Sequence, residues 1–353
     1  MGIPVAVVGA SGYTGAELLR LLAGHPQVEL RGLYARRAAG SQLSEVFPQF
    51  TDVITSDIDS FDADRVAETA EVAFCALPHG QSARAVAALR KRDVMVVDLS
   101  ADFRLNDADV YAQWYGSEAE PVHPCPELLA DAAYGLPEFH RERIRTVKLA
   151  AAPGCYPTGA LLAIGPLVKA GLVKPGPFIV DSKSGVSGAG RSVGLGTHFA
   201  EVGEGVRAYK VAGQHRHTVE IEQELSAMAG SPVKLTFTPH LIPMVRGILS
   251  CVYAEPSDSS LGVNDYHQAL TDAYAGEAFV SVLPLGQLPA TSHVRGSNRA
   301  HVAVAYDERV GRVLALSAID NLNKGSSGQA IQCLNLMKGW DETAGLTGAP
   351  MFP

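Results

Sequence analysis

Cys155 is the residue in this chain best placed to act as a nucleophile. It stands in Pro153-Gly154-Cys155-Tyr156-Pro157-Thr158, where Pro-Gly opens a helix predicted over residues 155–170, ending near Gly171. A thiol at a helix start meets the positive end of the dipole and backbone N–H groups that lack helical partners. Both favour the thiolate, and the same N–H groups can hold a tetrahedral oxyanion. The competing reading is a buried small hydrophobe, the usual fate of a free cysteine. That reading is adopted for Cys75 in a strand, for Cys251, and for Cys333 in a packed helix; Cys125, in a proline-rich loop, has no assigned role.

A reacting thiolate needs an acid/base partner, and histidine titrates in the right range. His215 and His217 lie in Gly213-Gln214-His215-Arg216-His217-Thr218, ahead of a helix predicted over 219–225. The alternation also suits an anion clamp or a polar helix cap. The two histidines are two residues apart rather than four, with no carboxylate cluster beside them, so no metal site is expected. Three cations are candidates for holding an anionic substrate. Arg104 ends Asp98-Leu99-Ser100-Ala101-Asp102-Phe103-Arg104, a loop after a buried strand, and its fork suits a phosphate. An Asp102–Arg104 loop salt bridge is the alternative. Arg207 and Lys210 precede the histidines.

Gly9-Ala10-Ser11-Gly12-Tyr13-Thr14-Gly15 falls between an apolar run and a helical pattern. The spacing is G-x-x-G-x-x-G rather than G-x-G-x-x-G, with the same physics: tight turning, close approach of a pyrophosphate, and a helix N-terminus for its charge. The bland alternative is a tight turn that binds nothing. NAD sites place Asp or Glu after the second strand for the ribose hydroxyls. Here Tyr34-Ala35-Arg36-Arg37 stands there, and two arginines suit a 2′-phosphate, so NADP(H) is the preferred cofactor. A solvated basic loop is the alternative.

These residues need elements to position them. Strands are predicted over 5–8, 28–34, 72–77 and 94–99, with helices over 16–23 and 83–89 between them. Alternating strands and helices imply a parallel, doubly wound Rossmann-type sheet. After about residue 150 the texture changes. Strands predicted over 178–181, 233–238, 248–253, 279–284, 301–306 and 312–318 read as an α+β mixed-sheet domain. The expected domains are a cofactor-binding 1–150 and a catalytic and oligomerisation 151–324, with a helix in about 325–353 returning to the first. The 353 residues are too many for one compact domain, and a composition 47% hydrophobic and 19% charged can bury two cores. A net charge of −8 argues against broad nucleic-acid binding. An odd number of cysteines, widely spaced, argues against a disulfide framework. No basic, apolar leader or membrane span is legible, so a soluble cytoplasmic protein is expected.

Taken together, the motifs resemble the N-acetyl-γ-glutamyl-phosphate reductase family, related to aspartate-semialdehyde dehydrogenase. The resemblance is carried by the glycine-rich turn, Leu77-Pro78-His79-Gly80, the 98–104 loop, Tyr134-Gly135-Leu136-Pro137-Glu138 and the Cys155 motif. Ser187-Gly188-Ala189-Gly190-Arg191, His215-Arg216-His217-Thr218, Arg246-Gly247-Ile248-Leu249 and Ala318-Ile319-Asp320-Asn321-Leu322 continue it, in family order over nearly the whole chain. It implies that the Cys155 thiolate displaces phosphate from an acyl phosphate, and that NADPH reduces the thioester to the semialdehyde. In the related dehydrogenases a His followed by Ser or Thr is the acid/base, which favours His217 over His215. Leu77 and Pro78 would border the cofactor, and Ser187, Gly188 and Asn321 the nicotinamide. Members are homodimers or homotetramers. Lysine-pathway relatives, which reduce aminoadipyl phosphate on a carrier protein, tend to carry Gly-Cys-Asn-Ala in place of Gly154-Cys155-Tyr156-Pro157. Further rivals are aspartyl-phosphate reduction, a nucleotide-independent cysteine hydrolase or acyltransferase, and a non-catalytic NADP sensor.

Overall fold

The computed structural model describes residues 2–118 and 120–352. Residues 1 and 353, at which the expected domain ranges begin and end, lie outside the described residues, as does 119. The chain divides into two compact units. One takes the chain up to Pro153 together with Ser326–Thr347; the other takes Gly154–Gly325 and the residues from Gly348 onward.

The first unit is built on β1 (Ile3–Val8), β2 (Val28–Tyr34), β3 (Ile58–Asp59), β4 (Val72–Cys75), β5 (Met95–Asp98), β6 (Ala132–Tyr134) and β7 (Leu149–Ala151). Their order is β3-β2-β1-β4-β5-β7-β6, and every pairing is parallel. This is the doubly wound sheet that the alternation predicts. Val5 to Val8 are fully buried, as a strand covered on both faces requires. The strand order reverses between β1 and β4, so a crevice opens beyond their C-terminal ends, where Gly9 and Ala76 follow. Helices Tyr13–Leu22, Ala63–Thr69, Gln81–Arg90 and Pro137–Thr146 connect the strands.

The returning tail forms the helix Gly328–Met337, much shorter than the 325–353 stretch around it. It is buried along its whole length and packs on β5, β7 and helix Pro137–Thr146. Its end is built by a glycine. Gly339 takes φ +66°, its N–H donates to Leu336 O at 3.0 Å, and Trp340 N–H donates to Asn335 O at 2.8 Å. That pair of bonds closes a helix with a left-handed residue.

The second unit holds β8 (Phe178–Ser184), β9 (Arg207–Ala208), β10 (Leu235–Leu241), β11 (Ile248–Ala254), β12 (Val280–Val282), β13 (Ala300–Asp307) and β14 (Arg312–Ile319). They form one mixed sheet, β12-β13-β14-β11-β8-β10-β9. β8 pairs β10, and β12 pairs β13, in parallel; the remaining pairs are antiparallel. Period-two alternation decides which face is covered. On β11, Ile248, Ser250, Val252 and Ala254 are buried, while Leu249, Cys251 and Tyr253 are half-buried on the other face. Cys251 is therefore less buried than its sequence context suggests.

The helix Cys155–Lys169 lies over β11 and β14, with Tyr156 to Val168 buried throughout. It can sit close because Gly159 leaves room. A Cβ there would come within 3.1 Å of Ser250 Oγ and 3.3 Å of Ser317 Oγ, and Ser317 Oγ donates to Gly159 O at 2.7 Å. Burying Cys155's helix on all sides fixes the position of Cys155 through packing rather than through helix propensity.

Candidate active site

In the first unit the three glycines do three different jobs. Gly9 adopts φ +99°, and a Cβ on it would lie 2.3 Å from Ala76 O, so the turn can pass against the neighbouring strand only without a side chain. A Cβ on Gly15 would lie 2.4 Å from Gly9 O, so Gly15 lets the helix close onto the turn. Gly12 meets nothing nearer than 3.8 Å; the space its absent side chain leaves is open. The helix Tyr13–Leu22 starts at Gly12 with no side-chain cap and no acidic residue in its first turn. Uncapped N–H groups beside an open glycine form a cradle for a pyrophosphate. Ser327 Oγ donates to Thr14 O at 3.0 Å, so the tail segment fastens the start of that helix.

Next to the cradle is a cavity of about 390 Å³ lined by Val8, Ala35, Arg36, Ser60, Phe61, Leu77, Gln81, Arg84 and Ala85. Arg36 and Leu77 are thus brought to one pocket. Arg37 is exposed and does not line it. Arg84, which the sequence reading passed over, is the pocket's second cation, and it pairs with Glu120. Pro78 O accepts Ser82 N–H at 3.0 Å in the turn that leads from β4 into helix Gln81–Arg90.

The 98–104 loop is an internal brace. Asp102 is buried and accepts Gly80 N–H at 2.9 and 2.8 Å, Ala83 N–H at 2.7 Å and Tyr111 Oη–H at 2.6 Å. It holds the start of the helix that borders the cavity. Asp98 accepts from the hydroxyls of Ser82 at 2.5 Å and Ser100 at 2.6 Å. Burial, then the neighbouring Asp102 charge, pushes its pKa up to about 6. Arg104 is buried, and its guanidinium donates to Ala152 O at 2.7 Å and Leu99 O at 2.9 Å. Two of its five donors thus brace the backbone at Leu99 and at Ala152, just before Pro153.

The second unit places Cys155 and His217 together. Cys155 begins its helix, half-buried, with Gly154 at the N-cap in extended backbone and no capping side chain. A Cβ on Gly154 would lie 2.5 Å from His217 Nε2, 2.8 Å from Cε1 and 2.9 Å from Cδ2. The His217 ring therefore rests against the residue that precedes the thiol, with its face at Nε2 nearest. On Cys155's other side, a Cβ on Gly325 would lie 2.9 Å from Cys155 Cβ. Two glycines shape the space for one cysteine.

His217 is the first residue of the helix His217–Ala229, which begins earlier and ends later than the predicted 219–225, stopping at Gly230 in the left-handed region. Glu220, one turn on, is buried and accepts Gly154 N–H at 2.8 Å. The sequence reading missed it, although a carboxylate three residues after a histidine shares that histidine's helix face. His215 sits behind His217, with ring centroids 4.8 Å apart.

Ser187, Gly188 and Asn321 also converge. Asn321 Nδ2 donates to Ser187 Oγ at 2.9 Å and Asn321 Oδ1 accepts Gly247 N–H at 2.7 Å, while a Cβ on Gly188 would meet Asn321 Nδ2 at 3.6 Å. Next to Asn321, Asp320 accepts Gly296 N–H at 2.6 Å and pairs with Arg246 at 3.3 Å. Arg207 is exposed and donates to Gly196 O at 2.5 Å; Lys210 is exposed, with φ +45°.

The other cysteines are packing residues. Cys75 is fully buried in β4, and burial raises its pKa well above the usual thiol value. Cys333 Sγ donates to Gly135 O at 3.3 Å. Cys125, buried, points its thiol at Ala83 O at 3.6 Å, which gives that residue a place against helix Gln81–Arg90. Among the described residues no group of three or more His, Cys, Asp or Glu is arranged to hold a metal, and no helix is long and apolar enough to cross a membrane.

Comparison with known proteins agrees with this geometry. Residues 4–147 match the family model described as the semialdehyde dehydrogenase NAD binding domain, and residues 155–321 match the semialdehyde dehydrogenase dimerisation domain. The N-acetyl-gamma-glutamyl-phosphate reductase of Pelobacter propionicus is 50% identical over 349 residues, covering 99% of each chain. That of Geotalea daltonii is 49% identical over 351 residues, covering 99% of this chain and 100% of its own. Aspartate semialdehyde dehydrogenase II of Vibrio cholerae, solved in complex with ASA, superposes with a TM-score of 0.71 over 96% of this chain and 99% of that one. At 18% identity, that likeness speaks for the fold alone. By sequence over its whole length, the chain belongs to the N-acetyl-γ-glutamyl-phosphate reductase family of the semialdehyde dehydrogenases.

Proposed function

We propose that this chain reduces N-acetyl-L-glutamyl 5-phosphate to N-acetyl-L-glutamate 5-semialdehyde with NADPH, releasing phosphate, as a step of arginine biosynthesis. The observation that carries the mechanism is the apposition of an uncapped helix start at Cys155 with the His217 ring against Gly154. Cys155 Sγ bonds to the acyl carbon as the carbon–oxygen bond to phosphate breaks, and His217 takes the thiol proton and passes it to the departing phosphate. Backbone N–H groups at the helix start face the oxygen that gathers charge. When bound, NADPH supplies the hydride that reduces the thioester. His217 then manages the proton balance as the carbon–sulfur bond breaks, the aldehyde leaves and the thiol is restored.

Residues up to about 150 hold the cofactor on this reading. Gly9, Ser11, Gly12, Tyr13, Thr14 and Gly15 cradle its pyrophosphate. Arg36 takes the 2′-phosphate with Arg37 nearby, and Leu77 and Pro78 border the rings. Residues 151–324 carry the acyl chemistry and the oligomer contacts. Ser187, Gly188 and Asn321 meet the nicotinamide, and Arg207 and Lys210 meet the substrate's anionic groups. Arg104, which also braces the backbone before Pro153, is a further cation for the substrate's phosphate. The matched dimerisation domain supports a homo-oligomer, which we take to be a dimer or tetramer. Five free, widely spaced cysteines suit a reducing compartment, and we place the protein in the cytoplasm.

The test is phosphate-dependent oxidation of N-acetylglutamate semialdehyde with NADP⁺, followed at the nicotinamide absorbance. Turnover is expected, with aspartate semialdehyde a poor competitor. No turnover with any acyl-glutamate semialdehyde sinks the reading. NADPH failing to bind at all would instead favour a cysteine hydrolase or acyltransferase. For the cofactor, Arg36→Glu replaces a cation lining the cavity with an anion. It is expected to lower the NADPH/NADH preference by on the order of tenfold to a hundredfold, the scale of one charge-assisted phosphate contact. An unchanged ratio would make Arg36 a solvated loop residue.

A further inference from the structure

His215 is packed among aromatic rings beside Cys155. Its ring packs edge-on against Tyr156 at 5.6 Å, Tyr209 at 5.5 Å and Phe237 at 5.1 Å between centroids. Tyr156 follows Cys155 directly, and its hydroxyl lies 3.0 Å from that of Tyr209. Tyr156 also packs on His217, at 5.9 Å, and on Phe237, at 5.1 Å. The cluster thus ties the first turn of the Cys155 helix to both histidines.

Within that cluster His215 serves the backbone. The N–H of His217 donates to His215 Nδ1 at 3.1 Å, and the N–H of Thr218 donates to His215 O at 2.9 Å. These are first-turn donors of the helix His217–Ala229, which have no partner inside the helix. Arg216, at the N-cap, makes no side-chain capping bond to the helix. A side chain accepting from the backbone two residues on is the way short polar residues start a helix or turn; here an imidazole does it. A ring nitrogen that accepts carries no proton, so the neutral ring must hold its proton on Nε2. The segment leading in is contorted: Lys210, Ala212 and Gly213 take φ of +45°, +55° and +77°. Left-handed backbone at two non-glycine residues persists where the surroundings over-determine it.

We propose that His215 is a positioning residue: held by Tyr156, Tyr209 and Phe237, it accepts the backbone N–H of His217 and so sets where the His217 imidazole meets Gly154 and Cys155. This rests on the reading of Cys155 and His217 as the reacting pair. Its surroundings keep the ring in the accepting form. Burial, then His217, Lys210 and Arg216, push its pKa down to about 2, so protonation does not interrupt the bond during turnover.

Two substitutions separate the possibilities. His215→Asn puts an amide oxygen where Nδ1 lies and cannot relay a proton. His215→Phe keeps an aromatic ring in the cluster and removes the acceptor. We expect the Asn variant to stay within a few-fold of wild-type kcat with an unmoved pH profile of kcat/KM. We expect the Phe variant to lose about thirtyfold to a hundredfold in kcat with little change in KM, as a small misplacement of a reacting group does. Exchange of the His217 amide should also quicken about tenfold, the factor one ordinary hydrogen bond is worth. An Asn variant as impaired as His217→Asn would overturn the proposal, because His215 would then move the proton itself. So would a Phe variant with wild-type turnover and wild-type exchange. If Phe fails to fold, judged by melting and NADPH binding, the comparison of His215→Asn with His217→Asn still decides. A wild-type protein inactive towards the semialdehyde would sink the functional reading alone, since amide exchange at His217 reads the cap without turnover.

Discussion

Cys155→Ser is expected to lower turnover by on the order of 10⁴-fold, the scale seen when a covalent nucleophile is lost, while NADPH binding survives. The replacement leaves the helix start as it is. Gly154 keeps its extended N-cap backbone, and the packed stretch from Tyr156 to Val168 is untouched. What changes is the atom. A serine hydroxyl at neutral pH is almost wholly protonated, whereas a thiol gives up its proton readily and is intrinsically more nucleophilic. Steady-state assay of semialdehyde oxidation beside a fluorescence titration of NADPH separates the two effects. Parallel loss of binding and turnover would make Cys155 structural, and retention of turnover would remove the thioester from the mechanism.

Gly154→Ala should be the most damaging change outside the reacting residues, costing on the order of 10² in kcat. Backbone strain is not the reason, since φ −65° and ψ 151° are as open to alanine as to glycine. The reason is the 2.5 Å separation between the new Cβ and His217 Nε2. Carbon and nitrogen in contact need about an ångström more, so the ring must leave its place. The Gly154 N–H can still reach Glu220, so the fold has no cause to fail with it. A melting temperature near wild type with kcat down a hundredfold is the expected pair of results. An alanine variant with wild-type kcat would show that the His217 ring does not do its work in the position it occupies here.

Long periodic elements were legible in the residues, and short ones were not. The pattern over 28–34 coincides with β2, and that over 312–318 differs from β14 by one residue. β3, β6, β7 and β9 are two or three residues long, too short to show a period, and their places in the sheets come from tertiary pairing. Cys155 could be singled out because its signal is local: a cysteine behind Pro-Gly at a helix start. Glu220 could not be joined to it, because the bond to Gly154 spans 66 residues of chain. Arg104's type and loop suggest an anion clamp, and what only coordinates reveal is that its guanidinium also holds the carbonyls of Ala152 and Leu99. His215 and His217 are alike as letters. What distinguishes them is that one presents Nδ1 to a backbone N–H and the other turns its ring towards Gly154.

The interrupted course of the first unit bears on how the chain matures on the ribosome. Its sheet is finished by Pro153, but the helix Gly328–Met337, which packs on β5 and β7, has yet to be made. Roughly 170 residues intervene, which at about 5–20 residues per second is a delay of about 10–30 s. Throughout that interval the apolar surface destined for the helix is uncovered, and the tail segment that fastens Thr14 is missing. The nascent cofactor unit is therefore prone to aggregation until the tail arrives. A message that stalls late would strand a protein whose Cys155 helix is already made and whose glycine-rich turn still lacks the tail that fastens it.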